Sequence, residues 1–328
     1  MPHLTRVATV CQSGRFFASP AENRDYVLSL LRQTLSVRPD IVCLPETFTT
    51  VSVPDGPALH AEPVPGPTTD AAAKIARENS CYVVCPIVTK RAGTMYNSAV
   101  IIDRVGAVAG IYDKRQPVTT SADYTVLEHG TTPGSAPNPV FELDFGRVGV
   151  QICFDAGFPE SWNEIADAQA RLVFWPSAYN GGFPLRVYAW QHHVFVVSSV
   201  RRDRSAIIDP LARTRAVTDE RVPWIYQDIN LDFAVCHWDF NYSIPERISA
   251  TYGDRVEVRS DLDSARFLVE PRDPSITIAQ LQAEFGFETV QTYHQRHRKA
   301  YAAIAAGMPP APQKALHSDR PQYAREDR

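Results

Sequence analysis

Short apolar runs that stop at a charged or reactive residue constrain this chain most. Ile41-Val42-Cys43-Leu44 reads as a strand buried on both faces, ended by Pro45-Glu46. Residues 7–11 read as an earlier strand. Between them, in residues 21–35, Val27, Leu28, Leu31 and Leu35 fall at i, i+1, i+4 and i+8, which puts an apolar stripe on one face of a helix. A helix is expected over 69–79 and a strand over 82–88. Residues 96–102 and 107–112 read as a hairpin about Asp103-Arg104-Val105-Gly106, and 140–144 with 147–153 as another. Further on, 159–168 and 185–193 read as helices, and 172–175, 195–200, 206–209 and a stretch near Ile229 as strands.

Strands and helices therefore interleave with hairpins, which predicts an α/β fold of mixed sheets with helices over one face of each layer. No internal repeat is visible. Past about Asp232 the pattern becomes irregular, apart from a helix over 289–306; residues 308–328, rich in Pro and charge, read as an exposed arm or disorder. A domain over 1–270 is expected, with a C-terminal helix and extended arm over 271–328 serving as an oligomer contact or left disordered.

With 44% hydrophobic and 21% charged residues among 328, the composition is that of a globular protein with a large core. A net charge of −4 and a pI near 6.1 give no electrostatic reason to expect nucleic acid or an anionic membrane as partner. No apolar run approaches the ~20 residues of a membrane span. The six cysteines (Cys11, Cys43, Cys81, Cys85, Cys153, Cys236) show no CxxC or zinc-finger spacing. A reduced, cytoplasmic location is the expectation. The His192-His193 pair has no third ligand at metal spacing, so it reads as helix surface and core, and no metal is expected.

Three segments end a buried-strand pattern in a reactive side chain: Leu44-Pro45-Glu46, Tyr112-Asp113-Lys114 and Ile152-Cys153-Phe154-Asp155. Singly each has a bland reading: a loop carboxylate, a solvated lysine, a small core filler. Cys153 stands apart from the other cysteines because Phe154 to Pro159 resembles a sharp turn into a helix, where start-of-helix N–H groups stabilise a thiolate. Together they make a chemistry. A carboxylate whose pKa is raised by a partly apolar pocket takes the thiol proton. An ammonium and a backbone N–H then hold the tetrahedral oxyanion, where one such donor contributes about 3–4 kcal/mol.

In order and approximate separation these segments resemble the Glu–Lys–Cys triad segments of the nitrilase superfamily of carbon–nitrogen hydrolases. Phe145-Gly146-Arg147-Val148-Gly149 precedes the cysteine, and Phe158-Pro159-Glu160 follows it, as similar runs do in that family. Trp175-Pro176-Ser177-Ala178 is similar to a strand end that lines family pockets, and residues 196–210 to its closing strands. The resemblance covers roughly residues 5–231. It implies a four-layer αββα sandwich, assembled as a homodimer or larger homo-oligomer. It implies Glu46 as general base, Lys114 as oxyanion stabiliser together with the Phe154 N–H, and Cys153 as acylated nucleophile. It also suggests Glu128 as a second carboxylate orienting Lys114 or water. Trp175, Ser177, Ala178 and Tyr179 are pocket candidates, and Trp190 is as well placed to be core. Arg115-Gln116-Pro117 departs from the His-Leu pair common after the lysine.

The expected activity is cofactor-free hydrolysis of a small amide or N-carbamoyl compound. Phe154-Asp155 after the cysteine favours this over a nitrile substrate, which stays open as an alternative because Pro117 follows the lysine. So do transfer of the acyl group to an amine and a non-catalytic scaffold of the same fold.

Overall fold

The computed structural model describes residues 4–313. The described residues group into two compact units, residues 5–229 and a second comprising Leu4 with 230–313. The expected division at residue 270 falls within a strand, Arg266–Pro271.

In the first unit, the elements in chain order are β1 (Leu4–Val10), α1 (Pro20–Thr34), β2 (Ile41–Cys43), α2 (Pro67–Asn79), β3 (Tyr82–Arg91), β4 (Thr94–Ile102), β5 (Val108–Asp113), β6 (Val140–Leu143), β7 (Gly146–Val150), α3 (Pro159–Asp167), β8 (Leu172–Ser177), α4 (Gly182–His192), β9 (Phe195–Val200), β10 (Ala206–Ile208), β11 (Thr214–Val217) and β12 (Trp224–Asn230). They form two six-stranded sheets, ordered β12-β1-β2-β3-β4-β5 and β11-β10-β9-β8-β7-β6. β1, β2 and β3 run parallel, and β4 and β5 add antiparallel. The second sheet repeats this plan: β7, β8 and β9 are parallel, and β10 and β11 follow antiparallel. The sequence shows no repeat, yet the two halves share a topology.

Burial on both faces explains the uninterrupted apolar runs. Val10, Val42, Leu44 and Val83 pack with Val27, Leu28 and Leu31 of α1 and Ala72 and Ile75 of α2. Val173, Trp175 and Val196 pack with Trp162 and Ile165 of α3 and Leu185 and Tyr188 of α4. The alternate residues face the other sheet, and there small polar groups lock the layers. Thr9 Oγ1 donates to Ser198 O at 2.7 Å, and Ser199 Oγ donates to Val10 O at 2.8 Å and Cys43 O at 3.0 Å. Helices outside two packed mixed sheets make this unit the αββα sandwich.

The second unit has its own core. β13 (Ala234–His237), β15 (Arg266–Pro271) and β14 (Val256–Asp261) form an antiparallel sheet in that order. Ile244 and Ile248 of α5 (Ile244–Tyr252) and Leu281 and Phe285 of α6 (Ile278–Phe285) cover it, packing on Phe267 and Val269. α7 (Val290–Ala305) follows, where a helix is expected. Of the expected exposed arm, residues 308–313 are irregular and exposed, and 314–328 lie outside the described residues. No helix among the described residues is long and apolar enough to cross a membrane.

Candidate active site

Glu46, Lys114 and Glu128 meet in one buried cluster. Glu46 follows the end of β2 and is 2% exposed; Lys114 follows β5 and is fully buried. Lys114 Nζ donates to Glu46 Oε1 at 3.0 Å and to Glu128 Oε1 at 2.5 Å. The loop carrying Glu128 is docked on the lysine by Gly134, whose N–H bonds Lys114 O at 2.9 Å. A Cβ at Gly134 would lie 2.2 Å from Asp113 O, so only glycine permits this approach.

Two further residues, not anticipated from the sequence, complete the cluster. Asn97 on β4 donates from Nδ2 to Glu46 Oε1 at 2.9 Å and to Glu128 Oε1 at 3.3 Å. Arg201, just past β9, brings Nη2 to 3.5 Å from Glu46 Oε2. Asn97 looks like any strand-end amide in sequence. Arg201 is one arginine in a run of Arg201-Arg202-Asp203-Arg204, which marks a charged loop and nothing more specific.

Cys153 follows β7 in a tight 3-10 turn, Cys153–Gly157, with its own φ at +48°. A non-glycine residue in the left-handed region carries backbone strain, and here the surroundings enforce it. Asp155 is the main brace. Its carboxylate accepts from Ile152 N at 2.8 Å, Tyr112 OH at 2.7 Å and Gln116 N at 2.9 Å. One buried side chain thereby ties the cysteine turn to both flanks of Lys114. Trp175 Nε1 donates to Cys153 O at 3.2 Å. Ser177 and the Ala178 N–H, at the end of β8, act to lower the pKa of the Cys153 thiol.

The electrostatics reverse two expectations. Burial works to raise the Glu46 pKa, but Lys114 and Arg201 outweigh it and hold the carboxyl down at about 2. Burial, then the charge of Glu46, push the Cys153 thiol up to about 12 against Lys114, Ser177 and the Ala178 N–H. The free site therefore rests as thiol and carboxylate. The expected thiolate at a helix start fails because Cys153 precedes a single 3-10 turn, with α3 beginning only at Pro159. Desolvation raises the Lys114 site's cost of charge too, yet the carboxylates of Glu46 and Glu128 keep it charged.

Of the pocket candidates, Ser177 and Ala178 act to lower the Cys153 pKa, and burial, with the charge of Glu46, raises that of the Tyr179 hydroxyl. Trp175 is wholly buried and braces the turn, with Tyr179 edge-on to its ring at 5.3 Å. Phe154 is 41% exposed and edge-on to Phe158. Trp190 lies along α4, and His192 stacks on Tyr188. No group of three or more metal-ligating side chains occurs among the described residues.

The Carbon-nitrogen hydrolase family model matches residues 6–234, and the chain belongs to that family. It is a hydrolase of non-peptide carbon–nitrogen bonds. It is similar to omega-amidase NIT2 of Mus musculus, 27% identical over 237 residues, covering 64% of this chain and 84% of that one. It is also similar to N-carbamoylputrescine amidase of Solanum lycopersicum, 30% identical over 120 residues, covering 36% and 39%. Among solved structures, a double mutant of the amidase from Nesterenkonia sp. AN1 in complex with acrylamide shares the fold. The TM-score is 0.60 at 18% identity, over 69% of this chain and 90% of that chain.

Proposed function

We propose that the chain hydrolyses a small amide or N-carbamoyl compound through a thioester on Cys153. The observation that carries this reading is the joining of one buried ammonium, Lys114, to two carboxylates beside a strained, braced cysteine. As sulfur attacks the carbonyl carbon, its proton passes to Glu46. Oε1 of Glu46 already accepts from Lys114 and Asn97, whereas Oε2 accepts no hydrogen bond and is the free acceptor. The wide separation of the two pKa values means that proton transfer accompanies attack and does not precede it.

Lys114 and the Phe154 N–H stabilise the oxyanion. On collapse the C–N bond breaks and the leaving nitrogen takes the proton from Glu46. Water then gives a proton to Glu46 while its oxygen attacks the thioester carbon. The second collapse releases the acid and returns the proton to sulfur. Glu128 keeps Lys114 oriented. The scheme needs no metal or organic cofactor.

A release assay for ammonia across small amides, N-carbamoyl amino acids and nitriles tests the substrate class. Ammonia from amides or carbamoyl compounds is expected; turnover of nitriles alone would replace this reading with a nitrilase. Homo-oligomeric assembly and a cytoplasmic setting, where the thiol stays reduced, belong to the same proposal.

A further inference from the structure

The family model ends at residue 234, so nearly all of the second unit lies beyond it. Among the described residues of that unit, four large apolar side chains are exposed, and they fall in two places. Tyr301, Ile304 and Met308, at 63%, 60% and 59%, line the end of α7 and the chain just after it. Leu262, at 74%, stands on the turn between β14 and β15.

α7 is anchored at its start. Val290 is its one buried residue, and Tyr293 stacks on His237 of β13 with ring centres 4.9 Å apart. Residues 300–312 carry no charged side chain, and the helix closes with the Met308 N–H bonded to Ala303 O at 2.9 Å. A helix end this apolar is held by packing against something, and the exposure of Tyr301 and Ile304 shows that the described residues of one chain do not supply it. Between α7 and residues 310–313 lies a cavity of about 630 Å³, with Lys299, Tyr301, Ile304 and Pro312 in its wall.

Charge selects what fills that socket. From residue 289 to 313 the chain has no Asp or Glu, and Arg298 and Lys299 have no ion-pair partner among the described residues. Two α7 helices laid face to face would set these cations against one another. Leu262 instead sits between Asp261 and Asp263, and Asp263 has no ion-pair partner among the described residues. The turn is thus an apolar knob with an acidic rim, and α7 borders an apolar socket with a basic one. Both stand open in the same chain, so neither fills the other there.

We propose that the second unit joins two copies of this chain: the turn at Leu262 of one copy seats in the α7 socket of the other. Leu262 packs on Tyr301 and Ile304, and Asp263 pairs with Lys299. A two-fold axis makes the exchange reciprocal, so the pair closes and does not grow into a filament. Apolar contact supplies the hold, and the rim charges fix the register. The inference stands apart from the amide-hydrolase reading.

The test uses the full chain. Unlabelled and heavy-nitrogen-labelled protein are mixed, exchanged by dilution and reconcentration, and treated with a zero-length carbodiimide, which joins a carboxylate to an amine it touches. Mass spectrometry is expected to find a link from Asp263 to Lys299 between one labelled and one unlabelled chain. Sedimentation velocity at tens of micromolar then compares wild type with Leu262→Asp, which spoils the knob, and Ile304→Asp, which spoils the socket. Both positions are exposed, so the fold is kept. Each variant alone should halve the mass of the assembly and lose the link. An equimolar mixture of the two retains one good knob and one good socket, and should recover the link and part of the mass.

Unchanged mass in either variant, links confined to like-labelled chains, or no recovery on mixing would overturn the inference. A wild type that sediments as a single chain would overturn it too, and would leave the socket to an acidic segment of another protein.

Discussion

Glu46 and Cys153 divide the cost of a buried site between them, and each leaves a measurable signature. The Glu46 carboxyl is held at about 2 in the folded chain, against about 4.5 when unfolded. A depressed carboxylate contributes stability that is present above the unfolded value and is lost as pH falls toward the folded one. The contribution is on the order of 3 kcal/mol. The gap in unfolding free energy between wild type and Glu46→Gln is therefore expected to shrink as pH falls from 5 toward 2 in denaturant titrations. A constant gap would show that Glu46 is not held by Lys114 and Arg201. Cys153, with its thiol pushed up to about 12, should add no thiolate absorbance at 240 nm between pH 6 and 9 when wild type is compared with Cys153→Ala. A neutral-pH thiolate would contradict the resting state of thiol and carboxylate.

At the scale of elements, the site depends on how two strand ends are tied together. Asp155 receives N–H or O–H donors from Ile152, Tyr112 and Gln116, so its loss strands three buried groups. Asp155→Ala is expected to lower stability by about 3 kcal/mol and to cut turnover about 100-fold by loosening Cys153 against Lys114. Asp155→Asn should fall between, as equilibrium unfolding and initial rates will show. Ordinary activity in Asp155→Ala would mean that the turn is braced elsewhere. The strands that carry the site were legible because they are buried on both faces and read as plain apolar runs. Lys114 and Glu46 were legible only through their place in known motifs. Asn97 and Arg201 were not legible, because a strand-end amide and a loop arginine acquire meaning only when the fold sets them against Glu46.

Over the whole molecule, the mixed sheets of residues 5–229 followed from interleaved strands and helices, and their stacking as a sandwich from the family resemblance, whereas the second unit followed from neither. β14 alternates Glu257, Arg259 and Asp261 with its apolar residues, and β15 begins at a buried Arg266 and carries a buried Glu270, so neither reads as a core strand. α6 was not expected; in the structure it opens on a capping box, with the Thr277 N–H bonding Gln280 Oε1 at 2.8 Å. The proposed homo-oligomer is tested by sedimentation velocity at micromolar concentration. A species of at least two chains is expected, and a single 36.5 kDa species would contradict it. Intact-protein mass spectrometry of enzyme quenched during amide turnover probes the central proposal most directly. The scheme predicts one acyl group on the chain, mapped to the Cys153 peptide, and neither adduct nor ammonia release from Cys153→Ala. Undiminished ammonia release from Cys153→Ala would contradict it.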